Sequence, residues 1–151
     1  MMADSEQSER LEIYKLHVEL ADRVSQRREG ANRLYVSLLL GLVLFLTALV
    51  RFGIGEASER LVICSVGIFG VLLSISWYVV IRSYRQLNTG KFKALHELEG
   101  ELAYPFFKRE WHLLAEGKDI NRYWKLTVVE TTLPIIFCVL FLGLIVYSIL
   151  Q

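Results

Sequence analysis

Proline is nearly absent from this chain. Only Pro105 and Pro134 occur in 151 residues, so nothing of that kind interrupts the backbone over the first hundred positions. Cysteine is as scarce: Cys64 and Cys138 both lie inside apolar runs, which excludes a disulfide framework or a cysteine-built zinc centre and leaves two small apolar thiols. Excess charge is missing too. Seventeen Lys and Arg face sixteen Asp and Glu, a net +1, and the signs are closely mixed, so no nucleic-acid surface is expected. Catalytic signatures are likewise wanting: there is no GxSxG, HExxH, CxxC or glycine-rich phosphate loop. His17, His96 and His112 stand apart, and the spacing of His96, Glu97, Glu99 and His112 fits no common ligand pattern. No catalytic residue, metal or cofactor is therefore expected, and the chain does not read as an enzyme.

Within three long stretches it is charge itself that is lacking. Leu34–Val50, Leu61–Ile81 and Thr131–Leu150 contain no Asp, Glu, Lys, Arg or His, and each has about the length that spans hydrocarbon as a helix. The apolar share of 54% is thus held in blocks. The fold class that follows is an all-α membrane protein with transmembrane helices at 34–50, 61–81 and 131–150, joined by an outer loop at 51–60. Two polar pieces remain, residues 1–33 and 82–130, each near or below the size at which a core stabilises itself. They are expected to fold against each other or against other subunits. No ionisable group lies inside a span, which argues against a proton-coupled pump or a voltage sensor. The first apolar block starts too late for a secretory signal.

Topology follows from Lys and Arg. Lys15, Arg23, Arg27, Arg28 and Arg33 precede the first span, and Arg82, Arg85, Lys91, Lys93, Lys108, Arg109, Lys118, Arg122 and Lys125 lie between spans two and three. The loop between spans one and two has only Arg51 and Arg60, offset by Glu56 and Glu59. The N-terminus and 82–130 are therefore expected in the cytoplasm, with the short loop and the C-terminus on the outer side. Trp77, Tyr78, Tyr84 and Tyr35 suit interfacial anchoring.

The N-terminal piece predicts an amphipathic helix capped at Asp4 or Ser5. Leu11, Tyr14, Val18 and Ala21 share one face, and Ile13, Leu16, Leu20 and Val24 form an adjoining stripe. With Gly30 as its only weak point, this helix is expected to run into the first span. Beyond span two, Phe92, Leu95, Leu98 or Glu99, and Leu102 recur at helical spacing, either as a continuation of that span or as a restart after Asn88-Thr89-Gly90. Tyr104-Pro105 breaks the pattern. A short helix is expected over Lys108–Ala115, then a turn at Gly117-Lys118-Asp119 and a return over Asn121–Glu130, with Pro134 in the first turn of span three. Arg23 and Arg27 are candidates to pair with Glu97 and Glu99. Ser37 and Gly41 in span one, and Gly67, Gly70 and Ser74 in span two, are small residues that let helices approach closely in lipid, within one subunit or between subunits. Ser37, Thr47, Ser65, Ser74 and Ser76 are polar candidates for a pore lining, set against bonding to their own helix backbone.

Tyr14-Lys15, the run ADRVSQRREGAN (Ala21–Asn32), the stretch WYVVIRSYRQLNTGKFKALHELE from Trp77, Glu110-Trp111, Gly117-Lys118-Asp119, Tyr123, and Thr127 through Glu130 to Pro134 together resemble the RipA-type family of small octameric bacterial membrane proteins. More distantly, the layout resembles SLATT-type transmembrane effector domains, which usually have two spans and are proposed to form pores. The resemblance implies a ring-like homo-octamer in a bacterial inner membrane. Its family-like positions are Asp22, Arg23, Arg27, Arg28, Asn32, Tyr84, Arg85, Asn88, Lys91, Phe92, Glu97, Glu99 and Trp111, expected as an assembly network of a cytoplasmic collar. Two functions stay open. One is a non-enzymatic assembly that forms or gates a membrane pathway, as a stress or phage-defence effector. The other is a membrane-anchored scaffold or regulator whose collar holds an unidentified cytoplasmic protein. If the collar network is right, reversing Arg27 and Arg28 to Glu breaks the oligomer while membrane insertion survives, as read from particle mass in detergent.

Overall fold

The structure is a computed structural model that describes residues 2–53, 56–100, 102, 104–114, 116, 118 and 126–150. Among them the chain is all-helical: α1 (Met2–Phe52), α2 (Glu56–Glu99), α3 (Phe106–Leu113) and α4 (Leu126–Leu150). Among the described residues three helices are long and apolar enough to cross a membrane, those holding the three charge-free runs. The turn expected at Gly117-Lys118-Asp119 and most of the return over Asn121–Glu130 lie outside the described residues.

Helix α1 passes Gly30 unbroken and begins at Met2, so Asp4 and Ser5 lie within it instead of capping it. Pairs one turn apart support its exposed side: Arg23 with Glu19, Gln26 with Asp22 and Arg33 with Glu29. Gly53, at φ 67, ends α1 in the left-handed conformation that costs glycine least. Because α1 reaches Phe52 and α2 starts at Glu56, much of the expected loop at 51–60 is helical. Helix α2 continues through Asn88-Thr89-Gly90 without a restart, and the Thr89 hydroxyl donates back to the Arg85 carbonyl. The chain then breaks around Tyr104-Pro105, and α3 begins and ends two residues earlier than the expected 108–115.

Helix α4 departs more from expectation. It starts at Leu126, five residues before the charge-free run, so Pro134 lies buried in the helix interior and not in its first turn. Its missing N–H removes the helical bond that the Glu130 carbonyl would accept.

The chain forms two compact units, Met1–Arg28 with Ser83–Thr127, and Glu29–Arg82 with Val128–Gln151. We call these the polar unit and the span unit. The core of the span unit is Leu39, Val66, Trp77, Ile81 and Phe141, with Tyr35, Phe137 and Leu144 packed against it. Gly67 and Gly70 make this packing possible: a Cβ on Gly70 would overlap the Phe141 ring, and one on Gly67 would meet Ile145 Cγ1 at 2.6 Å. That face of α2 therefore packs inside the subunit, against α4. Around Gly41 there is open space, and Ser37 is exposed. Gly70→Ala should therefore lower protomer stability by about 1–3 kcal/mol through overpacking, whereas Gly41→Ala should leave it level or slightly raised. Unfolding midpoints in mixed detergent micelles separate the two, and equal midpoints would contradict the packing.

Candidate functional site

The polar unit is organised by a carboxylate. Glu99, the last residue of α2, is 1% exposed. One of its oxygens accepts the Tyr14 hydroxyl of α1 at 2.9 Å and the Phe107 N–H at 2.7 Å, and the other accepts the Lys108 N–H at 3.0 Å. Phe107 and Lys108 are the second and third residues of α3, whose amide hydrogens lack partners inside the helix. A Ser or Asp at the start would ordinarily satisfy them, but the residue there is Pro105, which has no acceptor side chain. Glu99 supplies the cap from another helix and places a negative charge at the positive end of the α3 dipole. The aromatic rings close around it. Tyr14 and Phe107 lie 6.4 Å apart, and Phe92 and Phe106 each meet Phe107 edge-on at 5.7 and 5.6 Å.

This overturns the expected pairing of Arg23 with Glu99, while Arg27 and Glu97 are both exposed. Arg23 binds Glu19 on its own helix, and the Glu99 oxygens are taken by a phenol and two amides. An exposed guanidinium gains little by leaving water, whereas two orphan amides in a half-buried helix end require an acceptor.

The span unit has a smaller polar relay. Asn32 Oδ1 accepts the Trp77 indole N–H at 2.9 Å, and Asn32 Nδ2 donates to Glu130 Oε1 at 3.2 Å. Trp77 is 1% exposed and stacks on Tyr35 at 6.1 Å. It is a core residue and not the expected interfacial anchor, because Asn32 satisfies its N–H inside the bundle.

The thirteen family-like positions thus separate. Glu99 and Phe92 share the α3 cap, and Asn32 belongs to the relay in the other unit. Asp22 bonds Gln26, Lys91 lines a groove of the polar unit, and Arg27, Arg85 and Glu97 are exposed. Arg28 and Tyr84 are partly buried, and Trp111 is exposed on α3. Among the described residues, no donor reaches the buried Asn88 Oδ1. The hydroxyls of Thr47, Ser65 and Ser74 bond to their own helix at Val43, Leu61 and Gly70, the alternative set beside a pore lining. The sequence singles out Tyr14, Trp77 and Glu130 without the bonds they make here, and it does not single out Ser148, which donates to the Arg60 carbonyl on α2 at 3.0 Å.

Burial, then the hydrogen bond to Glu99 and its charge, push the Tyr14 hydroxyl up from 10.0 to about 12. A raised folded-state value means the hydroxyl's contribution is complete below pH 10 and is lost as pH rises towards 12. Tyrosinate absorbance should accordingly include one late step near pH 12 that disappears in Tyr14→Phe. Glu99→Ala, which strands two amides, should destabilise the polar unit by about 3 kcal/mol, and Tyr14→Phe by about half that. A Glu99→Ala protein as stable as wild type would contradict the cap.

A family model described as the octameric membrane protein family, 8xMP, matches residues 11–150. Comparison with curated proteins and with solved structures returns no match. The matched stretch takes in the Tyr14–Glu99–α3 cap, the Asn32–Trp77 relay and all three charge-free runs. The chain belongs to the octameric membrane protein family.

Proposed function

We propose that the protein is a non-enzymatic homo-oligomer of the bacterial inner membrane in which a ring of copies forms or gates a membrane pathway. The observation that carries this reading is the contrast between the two small-residue faces. The span unit is filled by its own Trp77, Phe137 and Phe141, and its Gly67–Gly70 face is covered by α4. Such packing within the protomer favours a pathway between copies. The Ser37–Gly41 face stays open to a neighbour, and small residues are what close helix approach in lipid requires. A pore built this way is lined by apolar and hydroxyl side chains and gates by dewetting. The excess of Lys and Arg before span one and between spans two and three supports a cytoplasmic N-terminus and polar unit. The SLATT-type resemblance is what supports a role as a stress or phage-defence effector.

A scaffold is the second reading, favoured by the apolar side chains that the polar unit leaves exposed, such as Leu16 and Leu113. In that case the spans anchor the protein while the polar unit holds a cytoplasmic partner.

Ion flux and graded-size dye release from liposomes, with oligomer mass measured on the same sample, separate the two readings. The pathway reading expects an intact oligomer to release ions, and Gly41→Phe to alter that release without loosening the protomer. A sealed liposome around an intact oligomer would overturn it in favour of the scaffold.

A further inference from the structure

A closed ring of identical copies is built from head-to-tail contacts, so each copy carries two different faces that fit one another. The polar unit has two such faces. The first is a groove of about 590 Å³ beside α1 and α2. Ser83, Leu87, Gly90 and Ala94 form its floor along one stripe of α2, with His17 of α1 and Lys91 also lining it. Nothing lies within 4 Å of where a Gly90 side chain would begin. Leu16, beside His17 on α1, is 55% exposed. Small residues along such a trough suit the ridge of another helix.

The second face is α3. No residue of this helix is buried within the subunit. Phe107 turns towards Glu99 and the aromatic cluster, while Phe106 and Leu113, seven residues apart and so on one side, are 56% and 68% exposed. Between them sit Arg109 and Glu110. The Arg109 guanidinium lies over the Tyr104 ring at 5.7 Å, and both Arg109 and Glu110 are exposed, so this side presents one charge of each sign. The groove carries the Lys91 ammonium and no acid among its described lining residues, so Glu110 is the charge of α3 that it can pair.

We propose that α3 of one copy seats in the α1–α2 groove of the next, with Phe106 and Leu113 over the Gly90 floor and Glu110 beside Lys91. The occupant is a second copy because the family is octameric and because one chain carries both the small-residue floor beside Lys91 and the exposed Phe106–Leu113 ridge beside Glu110. Capping by Glu99 acquires a role here: it holds α3 as a preformed ridge that contacts its own subunit on one side only. The inference rests on the ring proposed above but not on conduction.

The test uses full-length protein with Cys64 and Cys138 replaced by Ala. Leu113→Cys and Leu87→Cys are introduced singly and together, and treated with a short bis-maleimide in native membranes. The double variant is expected to give a ladder of bands up to eight copies. Each single variant is expected to give none, and a mixture of the two singles only dimers. Cross-linking of Leu113→Cys to itself, or no ladder from an oligomer of native mass, would overturn the proposal while leaving the ring intact. A particle that is not octameric would overturn the ring as well. Charge reversal supplies an independent check. Glu110→Lys and Lys91→Glu should each raise the concentration at which the oligomer dissociates at least about tenfold, and the double reversal should restore it. A double variant as weak as the two singles combined would also overturn it.

Discussion

The polar unit depends on one buried carboxylate. Its residues are few, and among the described ones its buried apolar core is little more than Ala21, Val24 and Leu95. An assembly of that size has small hydrophobic reserves, so the geometry of a single polar contact decides its arrangement. Glu99 sits where three helices can reach it: its own, α1 through Tyr14, and α3 through two backbone amides. A carboxylate taken out of water must find donors or lose its charge, and here it finds three. The same donors would be stranded without it. Neither side of the contact is stable alone, which makes the arrangement specific as well as stabilising.

The span unit meets a different constraint. In lipid, apolar side chains gain nothing by leaving one hydrocarbon for another, so close backbone approach and internal hydrogen bonds hold helices together. Gly67 and Gly70 let Phe141 and Ile145 lie directly on α2. Asn32 joins the Trp77 indole to the Glu130 carboxylate. Ser148 bonds the Arg60 carbonyl. Each device appears where a helix face would otherwise have no reason to choose its neighbour.

How much of this is legible beforehand depends on whether the signal is a run or a pair. The spans are runs without charge, and length alone identifies them. The long helical α1 is visible because no proline precedes Pro105. The cap is a pair distant in sequence, yet it leaves a trace. The helical repeat Phe92, Leu95, Leu98 or Glu99, and Leu102 leaves open whether a leucine or a carboxylate takes one place of the apolar stripe, and the structure puts the carboxylate there, 1% exposed. What the pattern cannot supply is the identity of its partners, since Tyr14 is eighty-five positions away and the two amides belong to the backbone. Charge alone suggested arginines, because sequence displays charged side chains and conceals orphan N–H groups. Trp77 misled for a related reason. An indole near a span end is as good an interfacial anchor as a core residue until Asn32 is seen to bond it.

The distribution of satisfied groups also indicates where function is free to act. Inside the span unit the indole and the glycine face are occupied, and three of the hydroxyls bond to their own helix, so chemistry or passage within a protomer would first have to dismantle its packing. Unsatisfied surface lies elsewhere, at Ser37 and Gly41 on α1, along the groove floored by Gly90, and on the outer side of α3. These surfaces are of two kinds. The first is small and suited to lipid; the others join apolar side chains to charged ones, Lys91 in the groove and Arg109 and Glu110 on α3, which suits contact in water. An octamer can use both at once, with small-residue contacts bringing spans together and the polar unit setting their angular spacing through a directional fit. Spans alone would associate with little angular preference, whereas a ridge seated in a groove turns each copy by a fixed amount relative to the last. If α3 seats in the groove of the next copy as proposed, the number of copies is set by the polar unit, through α3 and the Glu99 carboxylate that orients it.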